Sequence, residues 1–236
     1  MKIIVLKSSK YREKDLIYSV IASDRAFSFK VKGGADAKSP YVWMNNPLTM
    51  ADIELVEGKY KYPVLKEAKI ISSPLSGNDD FEYLFGVSAL AEIAHNLVTE
   101  EERCLFFEEL ENAANALRSV KDKMTCVAVF LARCLRRTGM EFEVDCCAQC
   151  GSKKDIVAFD MSEGGFVCRD CMNETTERDL TKNQLIYCRW IFSAKDYYNE
   201  WDDRFSKEDK MAVLQKMKNF VLDVLGANIQ SLDCLL

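Results

Sequence analysis

Cys147-Ala148-Gln149-Cys150-Gly151, with seventeen residues between Cys150 and the following Cys168-Arg169-Asp170-Cys171, decides the reading of this 236-residue chain. Two CxxC pairs at this separation suit a four-cysteine metal site, because each tight turn clamps one side of an ion and two turns fill a tetrahedron. Zinc favours tetrahedral sulfur and carries no redox chemistry, and four thiolates leave no position for substrate or water. The role implied for Cys147, Cys150, Cys168 and Cys171 is therefore structural. Gly151 supports it, since a small residue lets backbone amides turn toward a thiolate. Between the pairs, Ile156-Val157-Ala158-Phe159 reads as a strand and Glu163-Gly164-Gly165-Phe166 as a turn, the order of a zinc ribbon over about residues 144–174. Cys146 offers a CxxxC register instead of Cys147, or is a bystander thiol. A thioredoxin-like redox pair is the rival for the whole motif, but it needs one CxxC opening a helix rather than two around a hairpin.

Outside the motif, the chain has the material for a substantial core, with 48% apolar residues, four prolines and ten glycines and no low-complexity tract. Cys104, Cys126, Cys134, Cys188 and Cys234 lie among apolar residues and read as small buried hydrophobes. Ile3 to Leu6 is too short for a signal peptide, and the apolar run from Cys126 to Ala132 cannot span a bilayer. With no export signal and cysteines given to metal, a reducing cytoplasm is the expected compartment, with no membrane partner. The net charge of −5 conceals an asymmetry. Residues 1–75 hold 13 Lys and Arg against 8 Asp and Glu, whereas residues 76–236 hold 19 against 29. A front suited to phosphates and a back suited to proteins follow from that split, with ordinary surface variation as the rival.

The periodicity changes at the same place. Met1 to Lys7, Leu16 to Ala22, Phe27 to Val31, Tyr41 to Met44, Ile53 to Val56 and Tyr60 to Ile71 read as strands, enough for a small barrel. After Pro74-Leu75-Ser76-Gly77-Asn78 the pattern is helical, with Asp79 or Asp80 as a cap. Phe106, Leu110, Ala113 and Leu117 follow a capping box of Thr99 and Glu102. Val127, Leu131, Cys134 and Leu135 mark a helix that Gly139 ends. Thr181 to Ala194 and Ser206 to Leu225 give two more, the last with Leu214, Met217, Val221 and Leu225 on one face. The fold class is α+β: a basic barrel over 1–75, then a helical domain over 76–236 interrupted by the ribbon.

A small basic barrel suits single-stranded nucleic acid, which such folds hold by tracking phosphates with cations and stacking bases on rings. The candidate cations are Lys7, Lys10, Arg12, Lys14, Arg25, Lys30, Lys32 and Lys38, interleaved with Tyr11, Tyr41 and Trp43. Phe27 and Phe29 read as barrel interior, and Lys30 and Lys32, on the opposite face, should meet solvent or phosphate.

Taken in order, Val5-Leu6, Tyr11-Arg12-Glu13-Lys14-Asp15-Leu16-Ile17, Val31-Lys32-Gly33-Gly34, Lys38-Ser39-Pro40, Leu65-Lys66-Glu67-Ala68, the cysteine pairs with Gly151 and Gly164-Gly165-Phe166-Val167 resemble the RecO recombination mediators. The resemblance runs over almost the whole chain. It implies an N-terminal OB-fold, a helical domain carrying a zinc ribbon, and a non-enzymatic role in DNA repair and recombination, in the bacterial cytoplasm at the nucleoid. Similar proteins bind single- and double-stranded DNA, anneal complementary strands, associate with a RecR-type partner and the tail of the single-strand-binding protein, and help load the recombinase. One departure is Gly34-Ala35-Asp36-Ala37, where many members carry an arginine cluster.

A carboxylate-terminated apolar tail needs a groove with a cation at its end, and Leu131, Arg133, Leu135, Arg136 and Arg137 offer both in one stretch. The competing reading makes the leucines core and the arginines counter-charges at a helix C-terminus. Enzyme signatures are missing: no HExxH, no HxE before PCxxC and no GxxxxGK[ST] occurs, and the one histidine, His95, sits in a helical pattern. The alternative to a DNA-binding mediator is a zinc-ribbon adaptor that docks proteins and binds no DNA.

Overall fold

Ile3-Ile4-Val5-Leu6 puts apolar side chains on both faces of one strand, and both faces are buried. Ile3 and Val5 point into a barrel, while Ile4 and Leu6 join the core of the helical body. This strand couples the two halves of the molecule. The computed structural model describes residues 1–57, 61–74, 80–97, 106–197 and 204–236. The expected junction at 75/76, Asp79, the Thr99–Glu102 capping box, Cys104 and Tyr60 lie outside the described residues.

The barrel is built from β1 (Lys2–Tyr11), β2 (Asp15–Ala22), β3 (Ala26–Val31), β4 (Met50–Val56) and β5 (Val64–Ser72). It closes in the order β1-β2-β3-β5-β4, with β3 parallel to β5 at Lys30 and Val64 and the other neighbours antiparallel. Five strands in that Greek-key order form an OB-fold. Its interior is packed by side chains such as Tyr18, Val20, Phe29 and Ala51. Tyr41 to Met44 is not the expected strand. Pro40 and Pro47 flank the segment, where Val42–Asn45 forms a 3-10 turn, and the turn drops Met44, wholly buried, into the barrel core. Phe27 also departs from expectation, being half-buried at the barrel's mouth while Phe29 is fully inside.

The helical body comprises α1 (Phe81–Asn96), α2 (Phe107–Ser119), α3 (Lys123–Arg137), α4 (Lys182–Ser193) and α5 (Lys207–Leu225). Asp80 caps α1 by accepting from the Glu82 N–H, and Asp122 caps α3 through Thr125. A complete capping box opens α4, where Thr181 and Gln184 satisfy each other's backbone N–H groups. Gly139, with φ 88°, follows the end of α3, and Gly226 closes α5 in the left-handed region. Gly86 lets α1 approach α2, since a methyl there would meet Leu117 at 3.0 Å. Leu214, Met217 and Val221 are buried as expected. Leu225, one turn on, is 36% exposed because the last turn of α5 runs past the core. Cys126, Cys134 and Cys188 are buried, whereas Cys234 is exposed beside the chain's end. No helix among the described residues is long and apolar enough to cross a membrane.

The ribbon's hairpin, β6 (Ile156–Asp160) and β7 (Gly165–Cys168), sits between α3 and α4 in sequence. Its inner face joins the main core through aromatic edges: Phe142 and Phe166 both pack against Phe159, and Phe142 and Phe159 against Phe192 of α4.

Candidate metal centre and nucleic-acid interface

The four sulfurs of Cys147, Cys150, Cys168 and Cys171 lie within 4.8 Å of one another. The Cys150 and Cys168 sulfurs are 3.7 Å apart, against about 3.8 Å for the edge of a tetrahedron with bonds of roughly 2.3 Å to zinc. Cys146 lies outside the set; its backbone N–H donates to Glu143, on the chain entering the ribbon. Gly151 takes φ 73°, so its N–H can turn back to the Cys147 carbonyl, while the Cys168 N–H donates to the Cys147 sulfur at 3.4 Å. Burial opposes a thiolate at Cys147, but N–H groups of Cys168, Cys150 and Gln149 outweigh it and bring the thiol down to about 6. Shared hydrogen bonds with Cys150 and Cys168 push Cys171 up to about 12. Four thiolates cannot stand together in this space without a cation, and the geometry and donor set fit a metal ion.

Asp160 locks the adjacent turn. It is 3% exposed and accepts from the Ser162 hydroxyl at 2.6 Å and from the N–H groups of Ser162, Glu163 and Glu177. Lys216 of α5 reaches the same region, pairing with Glu177 at 2.7 Å and Asp179 at 2.9 Å.

On the barrel, the structure gathers some of the candidate DNA-contacting residues and scatters others. Tyr11, at the end of β1, meets Tyr62, just before β5, edge to face with ring centroids 6.3 Å apart. Arg12 and Lys30 lie 5.4 and 5.9 Å from the Tyr11 ring, and Lys61 lies 5.5 Å from the Tyr62 ring. Lys14 is drawn to the same end, its carbonyl accepting from the Ala35 N–H, while the Asp15 carboxylate accepts from the Gly33 N–H next to Lys32. An open groove runs from Tyr62 along β3 to Phe27 and Arg25, whose guanidinium is 5.1 Å from the Phe27 ring. Glu54 and Glu57 also line it, and Lys66 pairs with Glu54 at 2.5 Å.

Other candidates sit elsewhere. Lys7 lies where the barrel meets the helical body, beside Pro47 and His95. Lys10 and Lys38 are exposed on β1 and on the loop before the 3-10 turn. Lys30 is not open to solvent: its side chain is 14% exposed and pairs with Asp15 at 3.6 Å, so a phosphate there must compete with a carboxylate. Tyr41 and Trp43 are half-buried against the barrel core, with the Trp43 N–H donating to the Pro40 carbonyl at 2.9 Å. Lys61 and Tyr62 were missed. Their signal is the Lys-Tyr-Lys-Tyr run at 59–62, which reads equally well as the start of a strand.

The stretch considered for a protein tail is part core and part surface, with Arg136 and Arg137 exposed. Leu131 and Leu135 are wholly buried. Arg133 and Arg137 pair at 3.0 and 3.3 Å with Glu109, a carboxylate 6% exposed on α2 that also accepts from the Tyr197 hydroxyl. Arg136 donates to the Phe192 carbonyl at 2.5 Å. Arg133 and Arg137 offset the buried Glu109 charge, and Arg136 meets the end of α4. His95 is a satisfied partner, its Nδ1 3.4 Å from the Ser19 hydroxyl on β2.

Residues 78–233 match the family model described as Recombination protein O C terminal. The chain belongs to the RecO family. It is 26% identical to the DNA repair protein RecO of Caldanaerobacter subterraneus subsp. tengcongensis over 81% of this chain and 79% of that protein. It is also 26% identical to the DNA repair protein RecO of Clostridium acetobutylicum, over 98% of this chain and 94% of that one. The RecO match therefore spans the barrel as well as the helical body.

Proposed function

We propose that this protein is a non-enzymatic recombination mediator of bacterial DNA repair, acting in the cytoplasm at the nucleoid. In this reading the barrel at 1–75 binds single- and double-stranded DNA, and the helical domain at 76–236 meets proteins: a RecR-type partner and the tail of the single-strand-binding protein. The observation that carries the DNA reading is the Tyr11–Tyr62 pair with Arg12, Lys30 and Lys61 beside the rings, at the loops where OB-folds take oligonucleotides. Rings offer π-faces to unpaired bases, and the cations meet phosphates with release of counterions, so affinity falls with salt. Lys10, Lys14, Lys32, Lys38 and Arg25 extend the positive field around the barrel; Lys7 lies at its margin. Two strands held on one cationic surface repel each other less, which is the physical route to annealing and then to recombinase loading.

The metal assigned to the four cysteines is zinc, in a folding role. Tetrahedral sulfur suits zinc, and the acidic charge of the loaded site, about −2, is offset by nearby Lys153, Lys154 and Arg169.

The test is annealing of two complementary dye-labelled strands followed by energy transfer, with and without the protein. The reading expects acceleration that is lost in Arg12→Glu/Lys61→Glu. No acceleration by the unaltered protein, with no DNA bound at low salt, would instead favour an adaptor that docks proteins only.

A further inference from the structure

The metal cluster is not equally sheltered on its two sides. Cys147 and Cys168 are 1% and 2% exposed, and the Cys147 sulfur also accepts the Cys168 N–H at 3.4 Å. Cys150 is exposed and Cys171 half-buried, one from each turn, and their sulfurs lie within the 4.8 Å that spans the set. The tetrahedron of sulfurs thus has one edge inside the protein and the opposite edge toward solvent. Cys146 and Cys234, the other cysteines open to water among the described residues, lie outside the set. Beneath the buried edge the hairpin sends Phe159 into the main core, where it meets Phe142 and Phe192, so what happens at the sulfurs bears on the packing of the helical body.

We propose that the Cys150–Cys171 edge is a peroxide-sensitive switch: oxidation joins these two residues in a disulfide, the ion is given up, and the ribbon loosens from the helical body. A ligating cysteine is a thiolate, the nucleophilic form, and exposure decides which thiolates an oxidant reaches. The Cys150 thiolate attacks one oxygen of hydrogen peroxide, breaking the O–O bond, releasing hydroxide and becoming a sulfenic acid. The Cys171 thiolate then attacks that sulfur and expels a second hydroxide. Two thiolates lose two electrons, the peroxide gains them, and two protons from solvent complete two waters. Cys147 and Cys168 are left alone, and two ligands do not fill a tetrahedron. A dithiol returns two electrons by thiol–disulfide exchange and restores the full ligand set. The switch rests on the zinc assignment and goes beyond it, because a purely folding role asks nothing of the two sulfurs that face water.

The experiment treats the zinc-loaded full chain with hydrogen peroxide and follows zinc release with a chromogenic chelator, disulfides by tryptic mass mapping, and the melting temperature. One zinc leaves per disulfide formed, and the link joins the peptide of Cys150 to that of Cys171, which trypsin frees from Cys168 at Arg169. The melting temperature falls by as much as it does on chelation, and dithiothreitol with added zinc restores it. Cys146→Ser and Cys234→Ser release zinc as the unaltered chain does. Zinc retained while peroxide oxidises Cys146 or Cys234, a link between other cysteines, a loss that dithiothreitol does not reverse, or a release abolished in Cys146→Ser overturns the switch and leaves zinc in its folding role. A purified chain that holds no metal overturns the zinc assignment and the switch with it.

Discussion

Gly165 and Glu143 are so close that a methyl group on the Gly165 Cα would sit 2.2 Å from the Glu143 carbonyl oxygen and 2.7 Å from its nitrogen. The Glu143 N–H donates to Gly164 and the Phe166 N–H to Glu143, so the chain entering the ribbon is stitched to the hairpin's second strand just where a side chain is excluded. Gly165 also takes φ 138°. Gly165→Ala should therefore cost about 2–4 kcal/mol, combining backbone strain with the steric conflict. Thermal melting of the metal-loaded variant checks this; a melting curve like that of the unaltered protein would mean the strand separates freely.

The metal's binding energy should appear as folding energy. Cys168→Ser, or chelation of the unaltered protein, is expected to loosen the ribbon and then the Phe142–Phe159–Phe192 contacts beneath it, at a cost of several kcal/mol. Chemical denaturation with and without chelator measures it, and metal analysis of the purified protein tests for one zinc per chain.

Glu109 is a buried carboxylate held by Arg133, Arg137 and Tyr197. Glu109→Ala leaves two guanidinium groups without their counter-charge and should cost about 3 kcal/mol in denaturant unfolding, the usual penalty for breaking a buried pair. The same geometry predicts that Arg133→Glu/Arg137→Glu acts through stability.

Asp160 makes the ribbon turn sensitive to acid. Burial opposes its charge, but hydrogen bonds from Ser162 and the backbone outweigh that and hold its carboxyl below the usual carboxylate range. Its contribution is thus fully present above the ordinary carboxylate pKa and is lost as pH falls through the lowered folded value. Asp160→Asn should be less stable at neutral pH, by about 1–3 kcal/mol, and should lose less stability on acidification. Denaturant midpoints of both proteins across the acid range provide the check.

How much of this was legible in the sequence depended on whether a feature was local. Cys147 to Cys171 announced the metal centre because ligand spacing is a local property, and period-2 and helical patterns placed all five barrel strands and the helices beyond the ribbon. The Tyr41–Met44 segment misled because its apolar residues serve a plug rather than a sheet, and only the closed barrel shows the gap that Met44 fills. Arg133 and Arg137 could be read two ways because their partner, Glu109, lies more than 20 positions earlier on another helix. Tyr62 was passed over because its partner Tyr11 is brought to it by barrel closure, which no short-range pattern records.

The most direct test of the account is binding of a labelled single-stranded oligonucleotide by the metal-loaded protein across a salt series, compared with Tyr11→Ala/Tyr62→Ala. Each stacked base contributes on the order of 1–3 kcal/mol, so the account predicts salt-sensitive binding that weakens about tenfold or more in the double variant with the salt slope retained. Equal affinity in the two proteins, or binding indifferent to salt, would contradict a single-strand site at the Tyr11–Tyr62 end of the barrel.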